Sequence, residues 1–293
     1  MPILDLFITY LQTERRYSPL TVKAYRRDLE DFAAYLASNY EEEDLCAVTT
    51  PMVKSFLAQL KGQGLSNRSI NRMISSLRTF YKYALREGRL EKSPMFGIKS
   101  LKQPKPLVKF VSEQDINKVS FENVEDYTIK RDALLFEILY QTGIRKAELI
   151  GLRDRDVDRM AMRIKVLGKR DKERFIPVGR ALLEQIDGYQ ALRDARFPTH
   201  PDRLLLNDKG QEMTPYFVYD KVHRMLEGVT SLKQKSPHVL RHTFATHLLD
   251  EGASLVAIQK LLGHTELATT QVYAHNTIEQ LKKIHQQAHP KGS

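Results

Sequence analysis

The chain has a single cysteine, Cys46, among 293 residues. That excludes an intramolecular disulfide and any site that needs two thiolates. It also lacks an apolar run approaching the ~20 residues of a membrane-spanning helix. The most apolar stretch, Leu134 to Tyr140, is short and broken by Glu137. No basic cluster precedes an apolar core near the N-terminus, so a secretory signal is not expected and the cytoplasm is the expected compartment. With 42% hydrophobic and 28% charged residues the composition is that of a globular protein, not a fibrous or disordered one. At ~150 residues per domain the length suggests about two domains. Positive charge is in excess: 46 Lys and Arg against 36 Asp and Glu give a net charge of +10, which favours a polyanionic partner such as nucleic acid.

Residues 1–98 read as helical throughout. Ile3, Phe7, Tyr10 and Leu11 fall at helical spacing. Ser18-Pro19 is a cap followed by proline at the first helical position, and Val22, Tyr25, Leu29, Phe32 and Leu36 make one apolar face behind it. Thr50-Pro51 repeats the signal ahead of Val53, Phe56, Leu57 and Leu60, with Gly62 and Gly64 as the stop. Ser66 opens a further helix whose Ile70, Met73, Ile74, Leu77, Phe80, Tyr81 and Ala84 face inward, and Gly88 closes it. Four amphipathic helices with short connections predict a small helical domain. Arg15, Arg16, Lys23, Arg26 and Arg27 cluster near the start of the second helix. Arg68, Arg72 and Arg86 share one face of the fourth, suiting either a DNA backbone or plain solvated surface.

From Lys92 to Phe110 periodicity stops. Pro94, Pro104 and Pro106 stand among Lys99, Lys102, Lys105 and Lys109, which predicts a basic linker over 99–110 and a second domain from 111 to 293. In that domain Ser112 caps a short helix, and Tyr127 to Gln141 form a longer one that ends at Gly143. Arg163–Leu167 and Arg174–Val178 read as strands joined by the turn Gly168-Lys169-Arg170-Asp171, and Arg203–Leu206 as a third short strand. Helices are expected over 180–196, 215–226, 239–250, 255–262, 267–273 and 277–288.

Six side chains in this half meet one chemical demand together. Attack on a phosphodiester builds negative charge on the non-bridging oxygens, and arginine meets phosphate with a planar fork of donors. Arg145 and Arg241, with histidine donors at His238 and His264, would stabilise such a transition state without a metal. His238 and Arg241 are three residues apart and share a helix face. Tyr273 is available as nucleophile, although its reference pKa near 10 calls for a basic neighbour or a positive field. Lys169, at the tip of a hairpin, can protonate the leaving oxygen. Taken singly, each of the six also fits an ordinary surface, capping or packing role.

Three separated blocks carry a resemblance. Thr142-Gly143-Ile144-Arg145-Lys146-Ala147-Glu148-Leu149, then Ser236-Pro237-His238-Val239-Leu240-Arg241-His242-Thr243-Phe244-Ala245-Thr246-His247, then Leu261-Leu262-Gly263-His264 with Thr269-Thr270-Gln271-Val272-Tyr273 stand in the order of the tyrosine recombinases. The chain resembles that family over nearly its whole length, and within it most resembles the Xer site-specific recombinases, which resolve chromosome dimers. The resemblance implies a mainly α fold: an N-terminal four-helix, SAM-like core-binding domain, then a mixed, mostly helical catalytic domain with a small antiparallel β-sheet. It implies that Tyr273 attacks the scissile phosphate to form a 3′-phosphotyrosyl bond. Arg145 and Arg241 would hold the non-bridging oxygens, His238 would assist proton transfer, His264 would donate to the phosphate, and Lys169 would act as general acid. The implied chemistry uses no cofactor, neither ATP nor metal. The implied partners are double-stranded DNA with an inverted-repeat recombination site, a homo- or heterotetramer on two such sites, a paralogous recombinase and a DNA translocase, with no membrane. One position departs from the pattern: the hairpin tip, Gly-Lys-Gly in the family, reads Gly168-Lys169-Arg170 here, with Lys172 as a second candidate acid.

Other classes fit less of the sequence. His238, His242 and His247 lie close together, but their spacing is not that of a His-Glu-x-x-His zinc hydrolase and no carboxylate stands between them. A non-catalytic DNA-binding protein accounts for the helical domain and basic linker but not for all six residues together. A mobile-element integrase uses the same chemistry. A type IB topoisomerase also shares it, but relaxes one duplex instead of exchanging strands between two.

Overall fold

The helices begin where the caps dictate. In the computed structural model, which describes residues 3–103, 110–120, 126–168 and 172–263, the chain divides into two compact units, Met1–Pro106 and Leu107–Ser293. The first holds α1 (Ile3–Thr13), α2 (Pro19–Tyr40), α3 (Thr50–Gly62) and α4 (Asn67–Arg86). Ser18 and Ser66 each accept a backbone N–H from three residues on, Thr21 and Ser69, and satisfy donors that an uncapped first turn leaves open. At α3 the cap position is Thr49, one residue before the expected Thr50. Phe7, Leu11, Leu29, Phe32, Leu36, Val53, Leu77 and Phe80 are fully buried at the centre, so the apolar faces read from the sequence are the faces that pack.

The basic stripe on α4 is not uniformly free. Arg72 reaches the carboxylate of Asp28 at 2.8 Å, and the Ser76 hydroxyl donates to the same carboxylate at 2.6 Å. Asp28 is completely buried, and a buried charge needs such partners. Arg86 lies 4.3 Å from the Tyr10 ring centroid and pairs with Glu14 and Glu87. Two of the three arginines expected on a DNA-facing stripe therefore also brace the unit itself. The start of the expected linker is likewise held by α4. Asn71 exchanges two hydrogen bonds with the backbone of Leu101, and Asn67 donates to the Lys102 carbonyl.

The second unit is built around α6 (Tyr127–Thr142), whose Leu134, Leu135, Ile138, Leu139 and Tyr140 are all buried. The Asp126 carboxylate caps its start by accepting from Thr128 and Ile129. The short helices α5 (Glu113–Ile116) and α7 (Lys146–Gly151) flank it, and α8 (Arg180–Arg196) packs along it. The sheet has three antiparallel strands in sequence order, β1 (Val157–Asp158), β2 (Arg163–Leu167) and β3 (Glu173–Pro177), with Val166 opposite Arg174. Arg203–Leu206 is not the strand expected: Leu206 makes one isolated bridge to Glu212, and Leu204 donates to the Leu152 carbonyl. Three consecutive leucines there are buried as a core-lining loop, an apolar run that periodicity cannot distinguish from a strand. The remaining helices are α9 (Pro215–Leu226), α10 (Pro237–Asp250) and α11 (Leu255–Leu262), and α10 starts at Pro237, two residues before the expected Val239. The helices expected over 267–273 and 277–288 lie outside the described residues. Among the described residues no helix is long and apolar enough to cross a membrane.

Candidate active site

The end of α6 sets the position of the first arginine. Gly143 terminates the helix at φ 60°, a left-handed conformation that glycine adopts without steric penalty. A Cβ there would stand 2.4 Å from the Phe244 ring and 2.9 Å from Leu262. The chain can then turn directly into α7, with Arg145 as its N-cap residue. The Arg145 backbone N–H donates to Glu148 Oε2 at 2.7 Å, and its guanidinium donates to Glu148 Oε1 at 2.9 Å. The Arg145 side chain remains 42% exposed, which leaves it accessible to an incoming anion.

Arg241 comes from α10 and is 5% exposed. Its Nη1 donates to the Gly143 carbonyl at 2.6 Å and its Nη2 to the Leu262 carbonyl. Two of its five donors are thus engaged in joining the end of α6 to the end of α11. Burial, reinforced by the nearby Arg145 charge, pushes its pKa down to about 10, so it is still a cation at neutral pH. His238 lies one turn earlier on α10, exposed, with its ring stacked on His242 at a centroid distance of 5.7 Å. Arg145, His238 and Arg241 line one cavity of about 260 Å³ together with Lys146, Tyr219 and Ser236.

Of the six expected site residues, three are therefore brought together, and Lys169, His264 and Tyr273 lie outside the described residues. Gly168, before the hairpin tip, donates to the Lys172 carbonyl at 2.8 Å. Lys172, the second candidate acid, is exposed at the foot of β3. Gly263 closes α11 at φ 65°, directly before His264. The three histidines considered as a metal set do not converge: His247 turns into the core, where its Nδ1 bonds the Tyr140 hydroxyl at 3.1 Å. Among the described residues no three His, Cys, Asp or Glu side chains are grouped to hold a metal ion.

Three residues at the site carried no role in the sequence reading. Glu148 is nearly buried and is gripped by Arg174, whose Nη1 and Nη2 donate to its two oxygens at 2.9 and 2.8 Å. Burial pushes this carboxyl up, but the bonds from Arg174 and from the Arg145 backbone outweigh burial and hold it below the usual carboxylate range. Ser236, just ahead of α10, lines the cavity with a buried hydroxyl that has no hydrogen-bond partner among the described residues. Glu148 and Ser236 stand inside the recognisable blocks, but nothing in their spacing announces a role. Arg174 reads only as one alternate position of a strand.

Arg145, Lys146 and Arg241 line the cavity and, among the described residues, no carboxylate does, which leaves a positive field that suits an anionic phosphate ester. The mainly helical fold and this positive cleft fit an enzyme that acts on an anionic phosphate ester. The chain belongs to the phage integrase family and is a tyrosine recombinase: that family matches residues 109–280, and the family's N-terminal SAM-like domain matches residues 4–88. It is 38% identical to the tyrosine recombinase XerC of Oceanobacillus iheyensis, over 99% of this chain and 96% of that one. It is 36% identical to the tyrosine recombinase XerD of Listeria monocytogenes, over 99% of each. The fold is shared with XerH site-specific recombinase bound to palindromic difH substrate in a post-cleavage complex, at a TM-score of 0.72 and 23% identity, over 97% of this chain and 83% of that one. It is shared also with the Tn1549 transposon integrase in complex with transposon right end DNA, at a TM-score of 0.67 and 20% identity, over 96% and 99%.

Proposed function

We propose that the enzyme cuts and rejoins DNA at an inverted-repeat site by transesterification through Tyr273. The Tyr273 oxygen attacks the scissile phosphorus, a 3′-phosphotyrosyl bond forms, and the 5′-oxygen leaves as a hydroxyl. Arg145 and Arg241 bind the non-bridging oxygens, where charge grows in the transition state. His238 assists the proton transfer at Tyr273, His264 donates to the phosphate, and Lys169 protonates the departing 5′-oxygen. The covalent bond conserves the phosphodiester energy, so a 5′-hydroxyl from another strand can reverse the attack with no cofactor. The observation that carries this reading is the convergence of Arg145, Arg241 and His238 on one cavity.

The biological role we propose is resolution of chromosome dimers in the cytoplasm by a tetramer on two DNA sites, with a paralogous recombinase and a DNA translocase as partners. Near end-to-end likeness to relatives named XerC and XerD supports it, and the pair of names fits a chain that works beside a paralogue. Integration of a mobile element is the second reading, supported by the fold shared with a transposon integrase. A supercoiled plasmid with two directly repeated copies of the host site tests the activity. Two separate circles are the expected product, and relaxation of the plasmid without resolution would replace recombination by topoisomerase action.

The general acid has its own test. Lys169→Ala is expected to slow cleavage by ~10²-fold, the low end of what general acid catalysis contributes. A 5′-bridging phosphorothiolate, whose sulfur leaves without needing a proton, should restore most of the rate. Failure to restore it while Lys172→Ala is restored would move the role to Lys172.

A further inference from the structure

Arg174 occupies an unusual junction. It stands on β3, opposite Val166 and just beyond the hairpin turn that carries Lys169. Its guanidinium plane is bidentate on Glu148, and its Nε donates to the Leu261 carbonyl at 2.8 Å. The next carbonyl, that of Leu262, belongs to Arg241. Two successive carbonyls at the C-terminal end of α11 are thus held by two different arginines, one turn before His264. Gly263 leaves room for this arrangement: a Cβ there would come within 3.2 Å of Arg174 Cδ. Glu148 in turn orients Arg145 through both the backbone and the guanidinium.

We propose that Arg174 is a positioning residue for phosphoryl transfer: a single guanidinium that locks Glu148, and through it Arg145, to the end of α11 and to the foot of the hairpin. The inference rests on Arg145 as a phosphate ligand. In this arrangement the hairpin, the first arginine and the turn before His264 share one register, and a shift of α11 is felt at Arg145. A lysine cannot replace Arg174, because one ammonium cannot bridge both oxygens of Glu148 and a carbonyl on its far side. The groups that bear on Glu148 are Arg145 at the start of its own helix, Arg174 from β3 and Arg241 from α10, while Lys165, Asp156 and Glu173 line a second cavity with it, apart from the one that holds Arg145 and Arg241.

The test compares Arg174→Gln, Arg174→Lys, Glu148→Gln and the double Arg174→Gln/Glu148→Gln variant in the full chain. The probe is a nicked duplex carrying the host site to which the wild-type enzyme attaches, and single-turnover adduct formation is followed from pH 6 to 9. Both Arg174 variants are expected to lose ~10²-fold in adduct rate, the scale of a small misplacement of reacting groups, with DNA affinity within about threefold of wild type. With Arg174→Gln the loss should shrink as pH rises, because removing its main partner lets burial push the Glu148 carboxyl up, and the charge that orients Arg145 is recovered toward higher pH. With Arg174→Lys the nearby charge remains, so the loss should be the same across that range. The double variant should be no worse than the worse single one. A pH-independent loss for Arg174→Gln that tracks the unfolding midpoint, or losses that multiply in the double variant, would overturn the proposal. Failure to find any host site to which the wild-type enzyme attaches would count against the functional reading instead. The Glu148 carboxylate, titrated by carbon-13 NMR, then decides the coupling, which fails if Arg174→Gln leaves its titration unchanged.

Discussion

Arg241→Ala is expected to reduce strand cleavage by ~10³-fold or more, the loss seen when a donor to the transition-state charge is removed, while DNA binding stays within about tenfold of wild type. Affinity for DNA comes from many phosphate contacts, and one buried arginine supplies few of them. Arg241 also has a structural share, because its loss leaves the Gly143 and Leu262 carbonyls without their donor. Each orphaned acceptor costs roughly 1–3 kcal/mol, so the variant should melt several degrees earlier. Arg241→Lys separates the two effects. It keeps a cation but cannot span both carbonyls and also present a fork to phosphate, so stability recovers more than cleavage does. Chemical denaturation and single-turnover cleavage, measured side by side, check this. Equal loss of binding and cleavage would make Arg241 a docking residue. The pKa of about 10 adds a pH signature. Folded Arg241 gives up its proton at a lower pH than in the unfolded chain, so its burial costs stability at neutral pH. That cost is relieved as pH rises through about 10, whereas phosphate binding by Arg241 is lost over the same range.

The second large effect lies in the backbone. Gly143→Ala puts a Cβ at φ 60° and 2.4 Å from the Phe244 ring. A left-handed non-glycine residue costs roughly 1–2 kcal/mol and overpacking of this kind roughly 1–3 kcal/mol, a combined destabilisation of ~2–5 kcal/mol. The displaced carbonyl is the one that holds Arg241, so cleavage should fall further than the folded fraction does. Gly62→Ala is the control: nothing stands within 4 Å of its Cβ position, and as the last residue of α3 it should be neutral or gain up to about 1 kcal/mol. Urea unfolding midpoints and adduct rates per folded molecule distinguish the two positions. A Gly143→Ala enzyme with wild-type stability and rate would refute this account of the turn.

The elements of this protein were legible because caps and periodicity are local. Ser18-Pro19 and Ser66 start helices where they should, the stop at Gly143 is a left-handed glycine, and the hairpin runs between the two expected strands. Function was legible because Arg145, His238 and Arg241 stand in recognisable blocks, and the structure brings these three to one cavity. The pairings were not legible, because they span long stretches of chain. Arg241 meets a carbonyl 98 residues away, and Arg174 meets Glu148 across 26. Periodicity says that a face is polar but not what it faces, so Arg72 and Arg86 read as equals of Arg68 although Asp28 and Tyr10 claim them. Spacing alone sets His247 aside as a metal ligand, but the sequence cannot show that its ring turns toward Tyr140.

The central claim is that Tyr273 becomes covalently joined to DNA at one specific site. Covalent capture tests it directly. The protein is mixed with fragmented DNA from its host, denatured, and whatever DNA stays attached is sequenced, with Tyr273→Phe treated in parallel. The account predicts attachment at one discrete inverted-repeat site that disappears in Tyr273→Phe. Attachment that persists in Tyr273→Phe, or that is scattered over the genome without a shared sequence, would contradict it.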